Sequence, residues 1–268
     1  MEIYSNQTLI IYSKDTFEIQ LSISHPEYMR GITQLNNENI LTWSKDMNII
    51  QLINNKYNYE QKLIGHIDIV SGVIEIKTNE LISVSHDKTM KIWNLNNNNN
   101  QYECINTIYL NSGCYILKLN ENEFVTYHLS DKCLKFWNSN NYSNISTINN
   151  IETNWREPLC KLDNDILCVG GKGLYLIKIS NHQLINKIMD CKIMCSLYKS
   201  LDGLILCPIY ENNHYSLIKY KYINQNLNKI IEKEKAFTYR YKFIELNDEI
   251  IVSATDDAYY CPISLWRN

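Results

Sequence analysis

The sequence predicts an all-β fold assembled from one repeated four-stranded unit, and three observations carry that reading. An apolar strand, a short acidic or amide turn and a second apolar strand recur six times. The second strands of these pairs begin at 40, 81, 124, 166, 204 and 250, at intervals of 41, 43, 42, 38 and 46 residues. The composition suits strands, with 45% hydrophobic residues, 11% aromatic residues and 20 Tyr. A four-stranded unit recurring every ~40–45 residues is the signature of a propeller, because one such sheet cannot bury its apolar faces alone.

Each hairpin can be read from its turn. Leu35 is followed by Asn-Asn-Glu-Asn and then Ile40-Leu41, and Ile76 by Lys-Thr-Asn-Glu and then Leu81-Ile82. Leu119 leads through Asn-Glu-Asn-Glu to Phe124-Val125, and Leu162 through Asp-Asn-Asp to Ile166-Leu167. Leu201 leads through Asp-Gly to Leu204-Ile205, and Leu246 through Asn-Asp-Glu to Ile250-Ile251. With only 8 Gly and 4 Pro in the chain, Asn and Asp must supply the turns, since both tolerate the left-handed conformation. First strands are expected near Met29–Leu35, Val70–Ile76, Cys114–Leu119, Arg156–Leu162, Met194–Leu201 and Tyr241–Leu246. Third strands are expected near Asn48–Ile53, Thr89–Leu95, Cys133–Trp137, Leu174–Ile179, Tyr215–Tyr220 and Ile263–Trp266. Runs such as Leu174-Tyr175-Leu176-Ile177 are apolar at every position, as a sheet covered on both faces requires. The Asn96–Asn100 run reads as a loose surface loop, and Asn138–Asn150 reads the same way.

The stretch from Leu63 to Leu95 is the most regular unit. It opens on Gly65-His66 and closes on Trp93-Asn94, with a tight turn at His86-Asp87-Lys88. This resembles one unit of the WD-repeat family, with Asn in place of the closing Asp. The resemblance implies a structural tetrad in which the Trp93 indole, the Ser83 (or Ser85) hydroxyl, the His66 imidazole and the Asp87 carboxylate are linked by hydrogen bonds. By the same resemblance the first repeat keeps His25 and Asp46 but has Leu52 at the Trp position. The third keeps Asp131 and Trp137 without an obvious His, and the sixth keeps Asp257 and Trp266. The fourth and fifth repeats lack nearly all of it.

Counting repeats gives six blades and a single domain over residues 1–268. The final third strand has no outer strand after it, so Phe17–Ser24 is expected to pair with Pro262–Trp266 and close the ring. Thr8–Ser13 would lie outside it. The alternative is seven blades, with Thr8–Ser24 a half-built seventh.

Several functions are disfavoured. The net charge of −3 argues against a general nucleic-acid binder. No apolar stretch approaches the ~18–20 residues of a membrane span. The first residues show no basic flank leading into an apolar run, which points to an intracellular protein, cytoplasm or nucleus not distinguished, with its nine Cys reduced. The six His show no metal spacing, so no metal site and no cofactor are expected. A Ser/His/Asp set could suggest a nucleophile triad, but no Gly-x-Ser-x-Gly elbow is present. Gly170-Gly171-Lys172-Gly173 precedes a strand and not a helix, so it reads as a turn and not a phosphate loop.

What the resemblance implies is a non-catalytic scaffold that presents loops to partner proteins or peptides. Candidate contact residues at the starts of first strands are Tyr28, Arg30, Trp155, Arg156, Arg240 and Tyr241, since Trp, Tyr and Arg dominate binding hot spots. A substrate receptor of a ubiquitin-ligase assembly is a narrower alternative, favoured by a Trp-Asp-x-Arg ending that no repeat supplies. An enzyme built on a propeller is the other. The oligomeric state is not legible.

Overall fold

A computed structural model describes residues 7–12, 19–25, 30–53, 56–153, 158–188, 197–199, 203–211, 214–223, 226–237, 241–247, 250–255 and 263–267. Among the described residues the regular structure is all strand, with no helix. The chain divides into two compact units, Met1–Glu121 and Asn122–Asn268.

In the first unit, β1 (Gln7–Tyr12) and β2 (Ile19–His25) form an antiparallel pair. A four-stranded antiparallel sheet follows, of β3 (Gly31–Gln34), β4 (Ile40–Trp43), β5 (Met47–Ile53) and β6 (Lys56–Leu63). The next contains β7 (Val70–Lys77), β8 (Glu80–Ser85), β9 (Thr89–Asn96) and β10 (Gln101–Tyr109). Strand β11 (Cys114–Asn120) ends the unit.

The second unit opens with β12 (Glu123–His128), β13 (Cys133–Asn138) and β14 (Asn144–Ile148). It continues with β15 (Leu159–Lys161), β16 (Ile166–Gly170), β17 (Leu174–Lys178) and β18 (Gln183–Ile188) in one sheet. Then come β19 (Tyr198–Lys199), β20 (Leu204–Glu211), β21 (His214–Ile223) and β22 (Asn226–Phe237). A three-stranded sheet of β23 (Tyr241–Asn247), β24 (Ile250–Thr255) and β25 (Ile263–Arg267) is last. The second strands begin at 40, 80, 123, 166, 204 and 250, within one residue of the spacing read from the sequence.

The central strands explain the apolar runs. Every residue of β16 is buried, and in β8 Leu81, Ile82 and Val84 are fully so. Leu41, Met47, Ile49, Val70, Leu81 and Trp93 share one core in the first unit. Cys168, Leu174, Leu176, Ile205, Cys207 and Tyr220 share one in the second. Burial holds the Cys160 thiol pKa up at about 11, so it behaves as a small apolar side chain.

Register exposes a repeat the residue types conceal. Trp93 pairs with Leu81, Trp137 with Phe124 and Trp266 with Ile251. Ile50 pairs with Ile40 in the same way, so Ile50, and not Leu52, holds the Trp position of the first repeat. Beside that position each outer strand carries a β-bulge. The extra residues are Glu60, Ile105, Ile145, Ile185 and Ile230. Ile105, Ile145, Ile185 and Ile230 are all exposed. A bulge twists a sheet edge and obstructs pairing with another strand, which offsets the hazard of an apolar edge.

Three local expectations change. The Asn96–Asn100 run is an ordered hairpin turn and not a loose loop. Asn96 and Asn99 both donate side-chain N–H to Glu103 Oε1, at 2.9 and 3.0 Å, and the Asn96 side chain accepts from Asn98 N–H at 3.0 Å. Asn138–Asn150 contains strand β14, preceded by two turns closed on the Asn138 and Asn141 side chains. In the first repeat the β4–β5 turn is shorter, and Asp46 is ion-paired with Lys62. Gly171 does sit in the turn between β16 and β17, where an added Cβ would lie 2.2 Å from the Glu152 carbonyl oxygen.

Candidate interaction site

The site is built on one hydrogen-bond chain in the second repeat. Trp93 Nε1–H donates to Ser83 Oγ at 2.8 Å. Ser83 lies 2.7 Å from His66 Nε2, and His66 Nδ1 lies 2.8 Å from Asp87 Oδ2. A proton on Nδ1 satisfies all four groups: the hydroxyl donates to Nε2 and the imidazole donates to the carboxylate. Asp87 also accepts from Ile67 N–H at 3.1 Å, Thr89 N–H at 2.8 Å and Thr89 Oγ1–H at 2.6 Å. Gly65 is where it is because the indole leaves no more room: a Cβ there would be 3.1 Å from Trp93.

Burial and hydrogen bonding set the charges. Burial holds His66 neutral, below its usual pKa, against the attraction of Asp87. For Asp87, burial alone would raise the pKa, but the bonds from Thr89, His66 and the Ile67 N–H outweigh it and hold the carboxyl below its usual range. The chain is therefore a neutral imidazole on a carboxylate, with no exposed nucleophile: His66 and Asp87 side chains are 2% and 3% accessible.

Backbone hydrogen bonds beside this chain tie neighbouring loops together. His86 N–H donates to Ile69 O at 2.9 Å, and Leu110 N–H to Lys88 O at 2.7 Å. Val70 N–H reaches Ser44 O at 2.7 Å. The 86–88 turn is thus stitched to the segment around Ile67 and to the end of β10. On these segments stand Ile64, Ile67 and Tyr109, which are 75%, 83% and 84% exposed. Their absence from the expected contact residues has a plain cause. Ile64 follows β6 and Tyr109 ends β10, so each looks like a last core residue, and Ile67 stands between β6 and β7, where only the position of Gly65-His66 marks it as a loop residue.

Of the expected contact residues, Arg30 is half-buried and its backbone N–H donates to Trp43 O at 2.8 Å. Tyr241 opens β23 opposite Thr255. Tyr28, Trp155, Arg156 and Arg240 lie outside the described residues.

The third repeat builds its chain differently. Trp137 Nε1–H donates to Thr126 Oγ1 at 2.7 Å, and Thr126 bonds His128 Nε2 at 2.9 Å. The histidine comes from the same strand as the hydroxyl, two residues on, and not from a Gly-His pair. Alternation places residues 126 and 128 on one face of β12, which is the signal that could have found it. His128 is fully buried and its Nδ1 has no hydrogen-bond partner among the described residues. Burial, helped by nearby Lys135 and opposed by Asp131, drives its pKa down to about 4. Among the described residues no group of three or more His, Cys, Asp or Glu side chains could hold a metal ion. No helix among them is long and apolar enough to cross a membrane.

No family model and no curated protein matches the sequence. Solved structures do match. "Crystal Structure of Mitotic Checkpoint Complex" aligns with TM-score 0.74 and 12% identity, over 98% of this chain and 82% of that one. "Structure of U3-55K" aligns with TM-score 0.72 and 14% identity, over 97% and 89%. "Crystal structure of RRP9 WD40 repeats" aligns with TM-score 0.72 and 13% identity, over 97% and 88%. At these identities the likeness is one of backbone, and with the antiparallel four-stranded sheets it establishes that the chain has the WD-repeat β-propeller fold.

Proposed function

We propose that the protein is a non-catalytic scaffold that docks partner proteins or peptides through the loops of its first unit. The observation that carries this is the exposure of Ile64, Ile67 and Tyr109 on segments tied to the 86–88 turn by the Ile67 N–H bond to Asp87 and by backbone hydrogen bonds. Large apolar side chains kept in water on rigid backbone cost little order on binding and bury ample area when covered. Arg30 belongs to the same unit and is one of the contact residues expected from the sequence. The polar groups near these loops serve structure: the Ser83–His66–Asp87 chain is buried and fully bonded. One of the matching structures is that of a mitotic checkpoint complex, which agrees with a docking role.

The test is affinity capture of the intact protein, read by mass spectrometry, beside a variant carrying Ile64→Ser, Ile67→Ser and Tyr109→Ser. The substitutions are at the surface and leave the thermal melt within a few degrees. A partner retained by the native chain and lost by the variant is expected. Equal retention by both would remove the assignment of these loops, and turnover of a small molecule by the purified chain would remove the scaffold reading itself.

A further inference from the structure

The loops of the first unit carry charge as well as apolar area, and the charge stands beside the exposed side chains. Lys91 faces Thr107 across the β9–β10 pair, and its Nζ donates to Thr107 Oγ1 at 3.0 Å. Thr107 and Tyr109 alternate onto one face of β10, so Lys91 is the diagonal neighbour of Tyr109. The Lys91 stem also runs past Gly65, where a Cβ would lie 3.6 Å from both Cδ and Cε of the lysine. Lys91 is thereby held between the loop of Ile64 and the strand that ends at Tyr109.

Two further lysines stand on the turns to either side of Ile67. Lys88 is exposed, and its carbonyl accepts from Leu110 N–H at 2.7 Å, which sets it next to Tyr109. In the same turn His86 N–H donates to Ile69 O at 2.9 Å, which sets the turn next to the loop of Ile67. Lys45 is exposed and follows Ser44, whose carbonyl accepts from Val70 N–H at 2.7 Å.

These cations have no counter-charges of their own. Among the described residues no carboxylate pairs with Lys45, Lys88 or Lys91. Asp46 is taken up by Lys62, and Asp87 is buried beneath its own four hydrogen bonds. Among the described residues of these loops Asp68 is the exposed carboxylate, and it accepts from Ile69 N–H at 2.7 Å. Three lysines against one exposed acid make a local excess of positive charge on a chain whose net charge is −3. Unpaired lysines beside exposed apolar side chains favour a partner that brings carboxylates, because complementary charge fixes register and rejects partners of the wrong sign.

We propose that the partner of these loops is a peptide segment in which Asp or Glu stands close to large apolar side chains. The apolar groups cover Ile64, Ile67 and Tyr109, and the carboxylates reach Lys88 and Lys91. This rests on docking through these loops and names the chemistry of what docks. The test is selection of a random-peptide display library on the immobilised full chain, beside two variants shown by thermal melt to be folded. One carries Lys88→Gln and Lys91→Gln; the other carries Ile64→Ser, Ile67→Ser and Tyr109→Ser. The native chain is expected to enrich apolar residues with Asp or Glu beside them. The lysine variant should keep the apolar preference and lose the acidic one, and the serine variant should lose the apolar preference. A synthetic selected peptide should bind about three- to ten-fold more weakly once its acids are changed to amides, and that change should cost nothing further on the lysine variant. Apolar enrichment without acids, enrichment of Lys or Arg, or an acidic preference that persists in the lysine variant overturns the proposal and leaves docking through the loops standing. No enrichment by the native chain, or the same peptides from the serine variant, removes both.

Discussion

Replacing Asp87 by Ala tests the hydrogen-bond chain at its most connected member. The carboxylate accepts from His66 Nδ1–H, Ile67 N–H, Thr89 N–H and Thr89 Oγ1–H. At about 1 kcal/mol net for each bond, the sum is ~4 kcal/mol. Water entering beside the exposed 86–88 turn restores part of it, which leaves about 3 kcal/mol. For a chain of this length each kcal/mol shifts the melting temperature by about 2–4 °C, so a fall of about 6–12 °C is expected. Asp87→Asn keeps the volume but accepts fewer bonds, and should fall between. Asp131→Ala is the control, because Asp131 is exposed and its removal should cost under about 0.5 kcal/mol. Thermal melts followed by circular dichroism and by tryptophan fluorescence give the readout. Equal losses for Asp87→Ala and Asp131→Ala would refute the assignment of a stabilising tetrad.

Acid should destabilise the protein before its carboxylates titrate. His66 and His128 both have folded pKa values below the usual 6.5, His128 at about 4. The unfolded chain takes up these protons first, so the contribution is complete above about pH 6.5 and is lost as pH falls towards 4. At 1.36 kcal/mol per unit, His128 alone accounts for about 3 kcal/mol across that window. Urea melts between about pH 7.5 and 4.5 should show the decline, and His128→Gln should flatten it; an unchanged slope would contradict the buried neutral histidine. Gly171→Ala should cost about 2–3 kcal/mol, because its Cβ would meet the backbone of Glu152 and Thr153 at 2.2 and 2.6 Å. Gly203→Ala has open space but a φ of +82°, so only about 1 kcal/mol is expected; the reverse order of the two in a denaturant melt would argue against the packing at Gly171.

The hairpins are legible in the sequence because their signal is redundant. Six turns rich in Asn, Asp and Glu interrupt apolar pairs at nearly constant spacing, and no single residue decides the pattern. Trp93 is legible because Gly65, His66, Ser83 and Asp87 constrain the same place. Leu52 misleads for the opposite reason: with two residues missing from the β4–β5 turn, counting from the turn goes astray, and only the pairing of Ile50 with Ile40 fixes the position. The outer strands escape for a related reason. YECINTI, YSNISTI and HQLINKI are visibly alike, but the bulge breaks their alternation, so period-two reading does not find them. The exposed Ile67 and the buried Ile76 differ only in what the neighbouring backbone covers, which residue type does not encode.

The six-blade reading of the sequence closes the repeats by pairing Phe17–Ser24 with Pro262–Trp266, and among the described residues β2 is hydrogen-bonded to β1 in a two-stranded sheet. Strand β25 is hydrogen-bonded to β24, and in an antiparallel pair only alternate amides face a given neighbour. Amide hydrogen exchange across Ile263–Arg267 is the most direct test. If β2 covers the other edge, all the amides of β25 are slow to exchange, and removing residues 1–25 makes every second one fast. Fast alternate amides in the intact chain, unchanged by the deletion, would contradict the closure.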